Sequence, residues 1–227
     1  LDAGGAAFVN GTAAHGEDFD DTFEGGPVHA GAVVVPAVLA VAEREKISGS
    51  DAVRSIAIGV ELMCRASLVA PKLIHKAGFH PTAVLGTMAA AAAVSTLLNL
   101  SKNQFVNALG IAGSMASGII EYLAEGTWTK RLHPGWAAQS GIRAADLARA
   151  GFIGPRTVLE GTHGFYHGFA RTTQGDWTKL TDGFGERWIA ESLAFKVYAC
   201  GTMTHPYIDC ARRLAAQRAE ERCDAQL

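Results

Sequence analysis

Apolar residues recur every three to four positions over most of the chain, which is the spacing of amphipathic helices. One such segment begins at the N-cap Ser50 and reaches about Ser67, with Ile56, Val60 and Met63 on one face. No strand-like alternation of any length precedes residue 190. The pattern therefore predicts a helical body.

Local start and stop signals predict the other helices. They run from about residue 33 to 45, from Pro81 to about residue 99, from a capping box at 101–104 to before Gly118, and from about Gly135 to 149. Residues 175–185, rich in Gly, Asp and Thr, are typical of a surface connection. Residues 193–199 are the one strand-like run, and Thr204 caps a last helix to about residue 222. We expect a large all-helical domain over residues 1–175 and the opening of a second unit over residues 190–227.

Composition narrows the class of protein. The 227 residues are 48% apolar and 19% charged, which allows a sizeable core and excludes disorder. A net charge of -2 with scattered Lys and Arg argues against a nucleic-acid partner. Between Lys76 and Lys102 the only ionisable residue is His80, but the Ala, Gly, Thr and Ser found there are too weakly hydrophobic for a membrane span. The four cysteines show neither zinc-site spacing nor disulfide density, and no signal peptide pattern is visible, so we expect a cytoplasmic protein.

Carboxylates crowd one segment near the N-terminus, residues 15–22, which is too Gly-rich to predict as a helix and lies between apolar runs. Asp18, Asp20 and Asp21 cannot be buried without partners, so they must face water, share a proton, or meet cations from other segments or a ligand. A solvated acidic turn with a helix N-cap explains the same residues equally well. The segment is a candidate site at the edge of the core.

A second candidate is the basic turn at residues 127–135, which holds Lys130, Arg131 and His133 before a predicted helix. Backbone N–H groups and the helix dipole favour an anion there, and Lys or Arg can hold carboxylates as ion pairs. An ordinary basic surface turn is the alternative. The flanking Trp128 and Trp136 argue against full exposure of the turn.

Three further histidines and a lysine complete the candidates. His80 directly precedes a predicted helix, where a neutral imidazole can relay a proton, cap the helix or lie in the core. Lys196 lies in the strand-like run, and alternation would place it on the same face as Tyr198. His163 and His167 are one helical turn apart, but no carboxylate or Cys at ligand spacing completes a metal site, so we predict no metal.

Several short motifs, in order and at their intervals, resemble the MmgE/PrpD family. They are Asn10-Gly11-Thr12-Ala13-Ala14-His15, Asp18-Phe19-Asp20-Asp21-Thr22, His29 with Gly31, Gly78-Phe79-His80-Pro81, residues 130–136, and Lys196 through Thr204-His205-Pro206. The resemblance covers nearly the whole chain. It implies a mainly α protein in which a large helical domain is followed by the beginning of a smaller α+β lid domain, with further helices and most of the lid lying outside this sequence. It also implies a homodimer, an active site between the domains, and no metal or organic cofactor.

The resemblance also suggests which residues form the active site. It points to Asp20, His29, His80, Lys130 and Lys196, with Thr22, Arg131 and His133 as adjacent contributors. We expect Lys130, with Arg131 or Lys196, to hold substrate carboxylates. His29 and His80 would move protons at the reacting carbon, and Asp20 would orient one imidazole.

Members of the family that this chain resembles share a di- or tricarboxylate substrate but differ in reaction. The resemblance implies a cofactor-independent lyase, for which a 2-methylcitrate dehydratase-like hydro-lyase of propionate catabolism is the commonest assignment. Cis-aconitate decarboxylation and iminodisuccinate epimerisation use the same side chains and stay open. A different class of function is a helical module that binds carboxylates or only dimerises, without catalysis.

Overall fold

This computed structural model describes residues 1–224, with side chains through residue 219. In that part of the chain the helices are α1 (Ala3–Gly16), α2 (Gly31–Glu45), α3 (Gly49–Val69), α4 (Leu73–Lys76), α5 (Pro81–Leu97), α6 (Lys102–Met115), α7 (Tyr122–Glu125), α8 (Thr129–Arg149), α9 (Phe165–Ala170), α10 (Thr178–Thr181) and α11 (His205–Asp224). Strands β1 (Asp21–Thr22) and β2 (Ala194–Phe195) form an antiparallel pair, and short 3-10 helices cover Ile189–Ser192 and Thr202–Thr204. With 65% helix and 4% strand, the mainly α fold is confirmed. The domain limits 1–175 and 190–227 stay a prediction.

Helix α5 lies at the centre of the bundle, between α2, α3, α6 and α8. Nearly all of its side chains are buried, including five consecutive alanines at residues 89–93. Glycines on the neighbouring helices allow the close approach. A Cβ added at Gly141 would stand 2.4 Å from Ala90 Cβ, and one at Gly59 would stand 2.7 Å from Ala93 Cβ. Among the described residues, no helix combines the length and the apolar character needed to cross a membrane.

Helix α1 was not predicted, and it reaches into the acidic segment at residues 15–22, of which residues 17–22 are non-helical as expected. The helix continues to Gly16 and therefore includes His15. Asp2 caps it by accepting a hydrogen bond from the Gly5 N–H at 2.7 Å. A Cβ added at Gly11 would stand 2.8 Å from the Cα of a glycine in α8. Close packing against α8 therefore outweighs the low helix propensity of glycine.

Two other helix starts were predicted wrongly. Helix α3 is capped by Ser48, whose side chain accepts a hydrogen bond from the backbone N–H of Asp51, rather than by Ser50. Helix α8 begins at Thr129, inside the expected turn at residues 127–135 rather than at about Gly135, and includes Pro134. The basic residues after Thr129 consequently lie on the first turns of a helix rather than in a loop.

The strand-like run at 193–199 forms a strand only over Ala194–Phe195, which pair with Thr22 and Asp21. The chain then turns away, so the prediction that Lys196 and Tyr198 share a face is wrong. Lys196 is buried, whereas the Tyr198 hydroxyl donates to Asp209 on α11. The two-residue pairing is what brings Lys196 beside the acidic segment.

The expected surface connection is anchored to α3 by a buried ion pair. Arg65 is 1% exposed and contacts Glu61 one helical turn away. Its guanidinium donates to the main-chain carbonyls of Asp182 and Arg187 at 2.8 and 2.7 Å, and Glu61 accepts from the N–H of Ala190 at 2.9 Å. These bonds fix the path by which the chain reaches β2.

Candidate active site

Segments far apart in sequence bring ionisable side chains into one largely buried group, called here the histidine–lysine cluster, in which the Lys130 and Asp18 side chains are 26% and 25% exposed. Its members are His15 at the end of α1, Asp18 and Asp20 in the following turn, His29 before α2, His80 at the N-cap of α5, Lys130 and His133 in the first turns of α8, and Lys196 after β2. The ring centroids of His15, His29 and His80 lie 5.1 to 6.3 Å apart. The fold thus brings imidazoles, carboxylates and ammonium groups into contact.

Two lysines converge on the carboxylate of Asp18. Its Oδ1 accepts from Lys130 Nζ at 2.8 Å and from Lys196 Nζ at 2.6 Å, and Lys196 also donates to Asp20 Oδ1 at 2.8 Å. Burial alone would raise the pKa of Asp18, but hydrogen bonds from both lysines lower that pKa to about 2. Asp18 has a left-handed φ of 55°, which turns the chain sharply after α1 and points this carboxylate at the lysines.

Asp20 joins the imidazoles to this ion-pair network. His15 Nδ1 lies 2.5 Å from Asp20 Oδ2, and His29 Nδ1 lies 3.7 Å from Oδ1. Burial opposes ionisation of Asp20, but the hydrogen bond from His15 and the charges of both histidines hold its pKa below the usual range. The imidazole that Asp20 orients directly is therefore His15.

His29 has a defined tautomer. Its Nδ1 lies 2.7 Å from the main-chain carbonyl of Asp21, which can only accept, so the proton is on Nδ1 and Nε2 carries the lone pair. Burial lowers the pKa of His29 to about 4, although the charge of Asp20 partly offsets this, and the ring is neutral near pH 7. The side chain of Asp21, the residue whose carbonyl holds His29, also accepts a hydrogen bond from the Gly31 backbone N–H at 3.0 Å and so caps the start of α2. His29 Nε2 is therefore an unprotonated base.

His80 and His133 contact each other through their Nδ1 atoms, which lie 3.1 Å apart. The backbone N–H of His80 donates to the main-chain carbonyl of Gly118 at 2.9 Å, and this bond fixes the start of α5. Burial lowers the pKa of His133 to about 4 and that of His80 well below its usual value. His133 therefore packs against a second imidazole, and the part in substrate binding expected for it stays a prediction.

The other candidate residues from the sequence lie at the margin of the histidine–lysine cluster or outside it. Thr22 is buried in β1, next to the acidic turn. The Arg131 guanidinium lies 4.7 Å from the centroid of the Trp128 ring, and no hydrogen bond joins it to the cluster among the described residues. His163 and His167 are exposed, with ring centroids 6.3 Å apart.

His15 and Asp18 lie in the acidic segment that the sequence marks as a candidate site, but neither is among the active-site residues that the family resemblance suggests. Both lie within the motifs that carry the family resemblance, but only the end of α1 shows that they point inward. His15, Asp18 and Asp20 also offer ligand atoms within 4.8 Å of one another, as a metal site would. The Lys196 ammonium bonds both carboxylates, however, and supplies the cation that balances them.

Comparison with known proteins gives a consistent assignment. The profile of the MmgE/PrpD N-terminal domain matches residues 1–178. Human cis-aconitate decarboxylase is 36% identical over an alignment 232 residues long, and this alignment covers 94% of this chain and 46% of that protein. The mouse cis-aconitate decarboxylase is 36% identical over 214 residues (91% and 42%), and the cis-aconitate decarboxylase-like protein oryM of Aspergillus oryzae is 31% identical over 223 residues (92% and 46%). The chain thus spans about half the length of the curated relatives it matches, and it belongs to the MmgE/PrpD family.

Proposed function

We propose that this chain provides the helical part of the active site of a cofactor-independent lyase that decarboxylates cis-aconitate or a close tricarboxylate analogue. The relatives named above are cis-aconitate decarboxylases or are similar to them. The observation that carries the proposal is the convergence of Lys130 and Lys196 on Asp18, beside imidazoles that are neutral near pH 7. The cytoplasmic location and the homodimer stay predictions.

The lysines retain the capacity to bind a substrate. An ammonium has three N–H donors. Lys196 uses two of them, on Asp18 and Asp20, and Lys130 uses one, on Asp18. In the described part of the chain this leaves one donor on Lys196 and two on Lys130 for substrate carboxylates. Arg131 and Thr22 stay further candidates for substrate binding.

The proposed chemistry needs a cation and a proton donor. When carbon dioxide leaves, the broken C–C bond leaves its electron pair on carbon conjugated with a remaining carboxylate, where a lysine charge stabilises it. A new C–H bond then forms with a proton from the protein. His29 Nε2 carries a lone pair and cannot be the donor in the resting state. We therefore assign His80 as the donor.

His29 favours one alternative reaction. An unprotonated imidazole suits the removal of a proton next to a carboxylate, which begins the dehydration of 2-methylcitrate. The hydro-lyase expected from the resemblance is therefore the second candidate. The two reactions differ in the first bond broken, C–C in one and C–H in the other, so their products distinguish them.

The test uses protein expressed from its complete reading frame and a panel of cis-aconitate, 2-methylcitrate, citrate and iminodisuccinate, followed by NMR with and without a chelator. We expect carbon dioxide release from cis-aconitate, unchanged by chelation. Lys130→Met should lower kcat/KM by about 100-fold or more, whereas Lys179→Met, at an exposed lysine of α10, should not change it. Dehydration of 2-methylcitrate alone would replace the decarboxylase by the hydro-lyase, and no turnover of any acid would favour a binding module.

A further inference from the structure

The contact between His80 and His133 limits where their protons can be. Their Nδ1 atoms lie 3.1 Å apart, and the two side chains are buried, at 5% and 6% exposure. A hydrogen bond at this distance needs one donor and one acceptor. Because a neutral imidazole carries a single ring proton, one ring must be protonated on Nδ1 and the other on Nε2. The two tautomers are therefore coupled.

The surroundings hold the two rings in this orientation. Tyr122 packs edge-on against both, with ring centroids 6.1 Å from His80 and 5.8 Å from His133. Gly118 has a φ of 134°, and a Cβ added there would stand 2.4 Å from Ala83 Cβ and 3.4 Å from the His133 ring. Neither ring can swing away without displacing these neighbours.

The outer nitrogens of the pair remain accessible. Buried, unpartnered side-chain atoms in the described part of the chain include His15 Nε2, but neither His80 Nε2 nor His133 Nε2. The Nε2 atom of each ring is therefore free to form a hydrogen bond with a water molecule or a substrate. Decarboxylation of a carboxylate anion consumes one proton from solvent, and this proton needs a path to the reacting carbon.

We propose that His133 and His80 form a two-imidazole relay that carries this proton from solvent to the substrate carbon. The inference rests on the proposed function, in which His80 is the donor. In the resting state His133 is protonated on Nδ1 and His80 on Nε2. The His80 Nε2–H bond breaks as the C–H bond forms, the proton on His133 Nδ1 moves to His80 Nδ1, and His133 Nε2 takes a proton from water. Both rings end neutral with their tautomers exchanged.

The relay predicts a spectroscopic signature that needs no substrate. Ring nitrogen shifts of protein with ¹⁵N-labelled histidine, expressed from its complete reading frame, should show His133 protonated on Nδ1 and His80 on Nε2. The same protonated nitrogen on both rings, or the reverse assignment, would overturn the relay.

A matched substitution separates a relay from a passive support. In His133→Asn the side-chain amide can still donate to His80 Nδ1, but it cannot take up and pass on a proton. We expect the His80 tautomer to be kept, kcat to fall by about 100-fold, and KM to change little. The control is His75→Asn, at an exposed position of α4, which should leave both constants unchanged.

Each other result has a defined meaning. A kcat for His133→Asn within a few-fold of the parent would overturn the relay and leave His133 as a support for His80. A rise in KM with kcat unchanged would overturn it in favour of direct substrate binding by His133. A parent enzyme that does not decarboxylate cis-aconitate would reject the proposed function and the relay with it, whereas the tautomers would still show whether the two rings share one proton.

Discussion

Replacing Arg65 by Met tests whether the buried ion pair on α3 anchors the segment that leads to Lys196. Met keeps much of the side-chain volume but removes the charge and the donors to the carbonyls of Asp182 and Arg187. Glu61, fully buried, then keeps its carboxylate with only the backbone N–H groups of residues 189 and 190 as partners. Breaking a buried pair in this way costs about 3–5 kcal/mol, because one charge is left uncompensated.

The measurement is the free energy of unfolding from chemical denaturation at pH 7. The control is Arg44→Met, which breaks an ion pair with Asp146 between side chains that are 33% and 38% exposed. Such a pair is worth about 0–1 kcal/mol. The double variant Glu61→Gln, Arg65→Met should be less destabilised than Arg65→Met alone, because no buried charge remains. In Arg65→Met, amide exchange should also increase in residues 178–190.

The reasoning fails if Arg65→Met costs no more than Arg44→Met. It also fails if the double variant is as unstable as the single one, because the loss would then come from missing hydrogen bonds and packing rather than from an uncompensated carboxylate. Unchanged amide exchange in residues 178–190 would show that the ion pair does not hold this segment.

Two further predictions concern packing and pH. Gly135→Ala should destabilise the protein by about 1–3 kcal/mol or more. The added Cβ would stand 2.1 Å from Phe8 O and 2.5 Å from Thr12 Oγ1. Thermal denaturation measures this loss of stability. Stability should fall as the pH decreases from about 6.5 to about 4, by up to about 1.4 kcal/mol per pH unit for His29 alone. The pKa of His29 is lowered to about 4 by burial, so the unfolded chain binds a proton in this window that the folded protein does not. Urea midpoints across the window measure the slope, which His29→Gln should reduce.

Each of these two predictions has a result that would contradict it. At Gly168 an added Cβ meets no atom within 4 Å, so Gly168→Ala should be neutral or stabilise α9 by up to about 1 kcal/mol. Equal effects at the two glycines would show that the α1–α8 contact is not tight. An unchanged pH slope in His29→Gln would show that burial of this imidazole does not disfavour its charged form.

Features of the fold that depend on neighbours along the chain could be predicted. The capping box at Ser101 and Gln104 is confirmed, and Pro81 opens α5 as its position indicates. Both signals act through backbone groups within one helical turn. By contrast, α1 was missed because its glycines are explained by a helix more than a hundred residues away, against which Gly11 packs. Local propensity contains no information about that contact.

The candidate site shows the same division. The motifs that carry the resemblance contain Asp20, His29, His80 and Lys130, and the structure places these residues in one cluster. Their partners were not predictable. That Asp20 bonds His15, or that His133 faces His80, depends on distances between helices.

The sequence by itself determined most of the long helices, except α1 and the first turns of α8. It also determined which residue types are available for proton transfer and carboxylate binding, and the family to which the chain belongs, because these depend on local spacing and on short motifs. The tertiary structure alone decided how the charges are paired and which nitrogen of His29 is free. Burial and hydrogen bonding set ionisation and tautomer, and both arise only when α1, α5, α8 and β2 bring distant side chains into contact. Lys196 and Asp18 are separated by most of the chain, yet the hydrogen bond from the Lys196 ammonium helps to lower the pKa of the Asp18 carboxyl.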